Sequence, residues 1–146
     1  MKAVVQRVKQ ASVTIDGEVV GEIGQGLLVL LGIAAGDDEN TIKWFANKLV
    51  NLRVFEDEAG KMNKSLTNVS GAMLVVSNFT IYGDAQKGFR PSFTSAAAPN
   101  ISEAIYDRFI EYLRENYEIN IQTGQFGAMM DVALINDGPV TLIIEK

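Results

Sequence analysis

Leu27-Leu28-Val29-Leu30-Leu31-Gly32-Ile33 decides the fold. A half-wet strand would alternate apolar with polar residues, and this run does not alternate. The turn residues Gly24-Gln25-Gly26 precede it. The run therefore predicts a central strand covered on both faces.

Working outward, residues 2–8 and 11–15 carry β-branched side chains at mostly alternating positions and read as half-buried strands. Asp16-Gly17 is a favourable two-residue hairpin turn, with Glu18-Val19-Val20 returning on its far side. After the apolar run, Asp37 or Asp38 caps a helix whose stripe is Ile42, Phe45, Ala46, Leu49 and Val50, with Trp44 at its margin. Arg53-Val54-Phe55 reads as a short strand and Glu56 to Gly71 as a surface loop.

Ala72 to Ile81 reads as an apolar strand with polar residues at its end, and Gly83 to Ala98 as a long loop. Pro99 and Asn100 open a second helix, Asn100 and Glu103 having capping-box spacing. Its inner face reads as Ile101, Ala104, Ile105, Arg108, Phe109 and Tyr112. Asn136-Asp137-Gly138-Pro139 reads as a turn before a last strand, Val140 to Ile144. No repeat, linker or seam divides residues 1–146, so one domain is expected. The class is α+β: largely antiparallel sheet with two helices. Two helices cannot cover that much β surface, so the uncovered face is expected to meet a second copy in a homodimer.

Composition narrows the chemistry. A chain of 146 residues with 47% hydrophobic and 21% charged residues can bury a core, which excludes a disordered or fibrous chain. The formal net charge of −5 gives no general pull toward nucleic acid or anionic membrane, though a local basic patch stays possible. With no Cys and no His, the chain itself supplies no thiol nucleophile, Ser-His-Asp triad or thiolate- or imidazole-bound metal. The start of the chain lacks the apolar core of a signal peptide, and the longest apolar run is about half a membrane span. A soluble, cytoplasmic protein without membrane attachment is expected.

Three segments and one isolated residue carry possible chemistry. Ser77-Asn78-Phe79-Thr80 presents hydroxyls, an amide and backbone N–H groups at a strand end, or is simply a polar strand end, since no base stands near either hydroxyl. Asn136 to Pro139 is first a turn. Lys87 and Arg90, interleaved with Phe89 and Phe93, are either a solvated loop or a contact for phosphate and base. Arg7 interrupts an apolar strand, so an inward side chain there must hold a hydrogen-bonding partner. Asp131 interrupts another apolar stretch, as an outward strand residue or a carboxylate near the site.

Two of these segments, in this order, carry a family resemblance. Ser77-Asn78-Phe79-Thr80 is similar to a Ser-Gln-Phe-Thr segment, and Asn136-Asp137-Gly138-Pro139-Val140-Thr141 matches an Asn-x-Gly-Pro-Val-Thr segment. Both are signatures of the D-aminoacyl-tRNA deacylases, which the chain resembles over its full length. The loop Lys87-Gly88-Phe89-Arg90-Pro91-Ser92-Phe93 and the stretches Gly24 to Leu30 and Leu52 to Phe55 add to the likeness.

The resemblance implies a homodimer that hydrolyses the ester of D-aminoacyl-tRNA, and of glycine mischarged on alanine tRNA, without metal or other cofactor. It implies a catalytic strand end at Ser77, Asn78, Phe79 and Thr80. A cis Gly138-Pro139 would enter the partner's pocket and exclude L side chains, with Arg7 and Asn136 in support. Lys87 and Arg90 would contact the tRNA. The family's chemistry uses a positioned water, backbone N–H groups near Phe79 and Thr80 and the RNA's own 2′-hydroxyl, and an older account makes Thr80 the nucleophile. Asn78 departs from the family glutamine by one methylene. That departure keeps in view a non-catalytic RNA-binding relative and a related deacylase favouring glycine or L-alanine, alongside a purely structural dimer.

Overall fold

The computed structural model describes all 146 residues. In chain order its elements are β1 (Lys2–Ile15), β2 (Glu18–Ile23), β3 (Gly26–Gly32), α1 (Glu39–Val50), β4 (Phe55–Glu56) and β5 (Met62–Lys64). Then come β6 (Ala72–Ser77), a 3-10 turn (Phe79–Tyr82), α2 (Pro99–Asn116), β7 (Ile121–Thr123) and β8 (Asp131–Glu145).

The two opening segments are one strand. β1 pairs antiparallel with β3 through Lys2–Val8, with β2 through Ala11–Ile15, and with β8 from Lys2 to Thr14. Lys9 is unpaired between Val8↔Asn136 and Gln10↔Ile135. This bulge shifts the alternation by one residue, so Val8, Ala11 and Val13 all join one core while Ala3 and Val5 join the other.

β3 is central as the apolar run predicts, but its second neighbour is parallel. β6 runs parallel to β3, and β7 runs parallel to β6. The sheet is largely antiparallel as expected, with a parallel portion at β3, β6 and β7. It also curls into a near-closed barrel, since Gly21 of β2 lies against β7, where a Cβ would meet the Thr123 carbonyl oxygen at 2.4 Å. Leu28, Leu74 and Val76 fill the barrel with Val8, Ala11, Val13 and Ile23. Leu27, Val29, Leu31, Met73 and Val75 point the other way, against α1 and α2. Leu30 alone in β3 is only half-buried, because a cavity stands beside it.

α1 follows its predicted stripe, and all five residues are buried. Of the two candidate caps Asp38 takes the role, accepting from the Thr41 N–H at 2.8 Å, while Asp37 binds the Ala34 N–H. α2 departs from its reading. Pro99 occupies its first turn, its cap residue Ala98 has no capping side chain, and the buried face is Ser102, Tyr106, Phe109, Ile110 and Leu113. Ile101 and Ala104 are exposed instead. Two polar residues can sit on the buried stripe because both are satisfied: Ser102 donates to the Ala97 carbonyl and Tyr106 to the Val75 carbonyl at 2.8 Å. Burial raises the Tyr106 phenol above its ordinary range, so it remains a donor and ties α2 to β6.

The region 56–71 is not simply a surface loop. β4 and β5 form a small hairpin, and the turn after it drives Leu66 fully into the core. No helix is long and apolar enough to cross a membrane.

Candidate active site

β6 ends at Ser77, opposite Leu31 of β3. The strand predicted to reach Ile81 stops here because Asn78 reverses the local hydrogen bonding. The Asn78 N–H still donates to the Leu31 carbonyl at 2.8 Å, while its side-chain oxygen accepts from the Thr80 N–H at 3.2 Å and from the Thr80 hydroxyl. Those bonds cap the 3-10 turn from Phe79 to Tyr82. Burial, and then the negative charges of Asp37 and Glu145, pushes the Tyr82 phenol up to about 12. It is thus a neutral group at physiological pH.

Beside this strand end lies a cavity of about 850 Å³ with a mostly apolar lining. Ser77, Asn78 and Phe79 form part of its wall, but Thr80 does not. Phe79 stands edge-on to Phe93, with ring centroids 5.2 Å apart. Phe126 to Met130 also line the cavity, a segment that sequence reasoning missed as a site element. The available signal was Gly124-Gln125-Phe126-Gly127, an aromatic between glycines in a connection that forms no strand. Asp131 begins β8 as an exposed residue paired with Thr14, and the cavity lining does not include it.

The Asn136 to Pro139 segment does not turn the chain. Asn136 faces Val8 and Thr141 faces Gln6, both on the same edge of β1. Asp137, Gly138, Pro139 and Val140 therefore stand opposite the single residue Arg7, as a bulge inside β8. The Gly138-Pro139 peptide is cis, and both residues are exposed. Asn136 closes the base of the bulge, its amide donating to the Arg7 carbonyl at 2.9 Å and the Val140 carbonyl at 3.0 Å.

Arg7 is only 6% exposed. Its guanidinium donates to the Val54 carbonyl at 2.6 Å and the Asp137 carbonyl at 3.3 Å, and meets the Asp137 carboxylate at 3.1 Å. One side chain thus fastens the bulge to the segment that leads into β4. The cavity wall includes neighbouring Gln6, but neither Gly138 nor Pro139 of the same chain.

Lys87 and Arg90 stand apart from both features. Reciprocal backbone bonds between Asp84 and Ser92, at 2.8 and 2.9 Å, close the long loop into a small hairpin. Its tip presents Lys87 and Arg90 on either side of a fully exposed Phe89.

A family model described as D-Tyr-tRNA(Tyr) deacylase matches residues 4–145. The chain is 55% identical over 146 residues to a D-aminoacyl-tRNA deacylase of Petrotoga mobilis, covering 100% of this chain and 97% of that one. It is 56% identical to the D-aminoacyl-tRNA deacylase of an Exiguobacterium species, covering 100% and 99%. The solved structure of a protein called c-Myc DNA Unwinding Element Binding Protein superposes with a TM-score of 0.95 at 45% identity, covering 100% and 99%. A probable eukaryotic D-amino acid tRNA deacylase shares the fold at a TM-score of 0.85 and 18% identity, covering 98% and 97%. With a family model over almost its entire length and relatives more than half identical from end to end, this chain belongs to the D-Tyr-tRNA(Tyr) deacylase family.

Proposed function

We propose that this protein hydrolyses the ester joining a D-amino acid to the terminal adenosine of tRNA, releases glycine likewise, and spares L-aminoacyl esters. The observation that carries this reading is the donor-rich strand end at Ser77 to Phe79, opening on an apolar cavity. Such a wall suits an uncharged ester: aromatic surface for a base, and polar groups confined to one edge. The Thr80 hydroxyl donates to the Asn78 oxygen, with no base to take its proton, so it is a poor nucleophile. Water is the attacking group, and positioned donors stabilise the charge on the carbonyl oxygen.

The chiral filter is the Gly138-Pro139 bulge of a second copy. Apolar surface left uncovered, with Ile143 69% and Met129 91% exposed, supports a homodimer. In a two-fold dimer each bulge enters the other chain's cavity and occupies the space an L side chain needs, leaving room for hydrogen. Lys87, Arg90 and Phe89 meet the RNA, and a tRNA substrate places the protein in the cytoplasm.

The direct test follows amino acid released from matched D-Tyr-tRNA, L-Tyr-tRNA and Gly-tRNA at nanomolar protein, with metal chelated. The D and glycine esters are expected to disappear quickly while the L ester survives. Equal rates for the D and L esters, or no acceleration of any, would overturn the reading. Lys87→Ala with Arg90→Ala is expected to lower kcat/KM at moderate salt and flatten its logarithmic salt dependence by about 1 to 2, one step per lost phosphate contact. An unchanged salt slope would remove this hairpin from the RNA interface.

A further inference from the structure

We infer that Gly32 is a positioning residue for the deacylase site: because it has no side chain, the Tyr82 ring and the Asn78 carbonyl rest directly on β3, and this seat fixes how far Ser77 to Phe79 stand into the cavity. The inference rests on the deacylase reading. Gly32 closes the apolar run of β3, and a glycine weakens a strand unless another group must approach its backbone closely. Its own conformation does not require glycine, since Gly32 is not among the residues with positive φ. The neighbours supply the reason. A Cβ at Gly32 would lie 3.0 Å from Cδ2 and 3.1 Å from Cε2 of Tyr82, and 3.3 Å from the Asn78 carbonyl oxygen. Those two residues bracket the 3-10 turn, Asn78 as its cap and Tyr82 as its last residue. One position on β3 thus receives both ends of the turn.

The seat reaches the cavity through the backbone. Leu31, beside Gly32, accepts the Asn78 N–H at 2.8 Å. Leu31, Ile33, Ser77, Asn78 and Phe79 all line the cavity, whereas Gly32 and Tyr82 do not. The pair therefore lies behind the wall and acts through it. The Tyr82 atoms that meet the seat are ring carbons, so the contact is one of shape and does not depend on the phenol hydroxyl.

Neither neighbour is a loose chain end. One is a backbone carbonyl, and the other belongs to a short turn closed by the Gly83 N–H on the Thr80 carbonyl at 2.9 Å. A methyl group at Gly32 must then push the turn outward by a few tenths of an ångström, and Ser77 to Phe79 move with it. Groups aimed at a transition state are sensitive to such shifts, about 100-fold for 1 Å.

Gly32→Ala tests this on the whole protein with D-Tyr-tRNA, at a temperature where circular dichroism shows each variant folded. Its kcat is expected to fall about tenfold with KM nearly unchanged, the pattern of a loss confined to the transition state. A kcat within about twofold of wild type, or a rise in KM alone, would overturn the inference. Tyr82→Leu underfills the seat and is expected to lower kcat about threefold, while Tyr82→Phe keeps the ring and the rate. The double variant Gly32→Ala with Tyr82→Leu gives the readout that general weakening would not. The smaller side chain makes room for the methyl, so the double variant should be at least about threefold faster than Gly32→Ala, where independent losses would multiply. A smaller gain overturns the inference. If Gly32→Ala does not fold, the two Tyr82 variants decide, and equal rates for phenylalanine and leucine overturn it. A wild type inert on every ester would defeat the deacylase reading and this inference with it. An active wild type beside a fully active Gly32→Ala defeats this inference alone.

Discussion

Arg7→Met is expected to cost about 3 kcal/mol of stability, because it leaves a partly buried carboxylate and a buried carbonyl without their cation. For a chain of this size that corresponds to a fall of about 10 °C in Tm. Methionine keeps most of the apolar stem, so the loss reports the polar bonds to Val54 and Asp137 and not the packing. The functional effect should be larger than the thermal one. Arg7 is the tie between the Gly138-Pro139 bulge and the segment leading into β4, so without it the bulge loses its fixed height above β1. Hydrolysis of L-Tyr-tRNA should then rise relative to D-Tyr-tRNA, even at temperatures where the variant is fully folded. Arg7→Lys keeps a charge but not a planar fork that reaches two acceptors at once, and should recover stability better than discrimination. Thermal melts and the ratio of D to L rates measure both. A variant that melts with wild type and keeps its D preference would mean the bulge is held by Asn136 alone.

What the sequence makes legible is what short-range rules govern. The hairpin at Asp16-Gly17, the buried run of β3 and the stripe of α1 each depend on neighbours within a few residues, and each appears where read. The errors lie where a distant partner decides. Ser102 and Tyr106 read as polar, but carbonyls of Ala97 and Val75 satisfy them, and the buried face of α2 moves by one residue. Leu66 sits in a charged, glycine-containing stretch, and only the turn after β5 sends it inward. Asn-Asp-Gly-Pro has the same local chemistry in a reversal as in a bulge. The difference lies in the pairing of Gln6 with Thr141 and Val8 with Asn136, over a hundred residues apart in the chain. The candidate site divides the same way. Ser77 to Phe79 stand out as a polar strand end, whereas Phe126 to Met130 join them only because β7 and β8 carry that segment to the cavity.

Gly138→Ala is expected to abolish most deacylation without unfolding the chain. Gly138 has φ of +121°, where an L side chain is strained, and a Cβ there would lie 2.9 Å from the Val140 backbone nitrogen and 3.1 Å from an Arg7 guanidinium nitrogen. Neither neighbour can retreat easily, since one is backbone and the other is held at both ends, so the tip of the bulge must move. A displacement of about 1 Å at a group that fills part of a substrate pocket costs about 100-fold in kcat/KM. Complementation shows whose pocket it fills. Ala96→Trp, at a half-buried alanine in the cavity wall, should block the cavity while leaving the bulge intact. Each variant alone is expected to be nearly inactive. Unfolded together and refolded, half of the dimers pair one chain of each kind, and each mixed dimer has one site with both an open cavity and an intact bulge. About a quarter of wild-type activity should return by that pairing. A mixture as inactive as its parents would mean that each bulge serves the cavity of its own chain, and the cross-subunit filter would have to be abandoned.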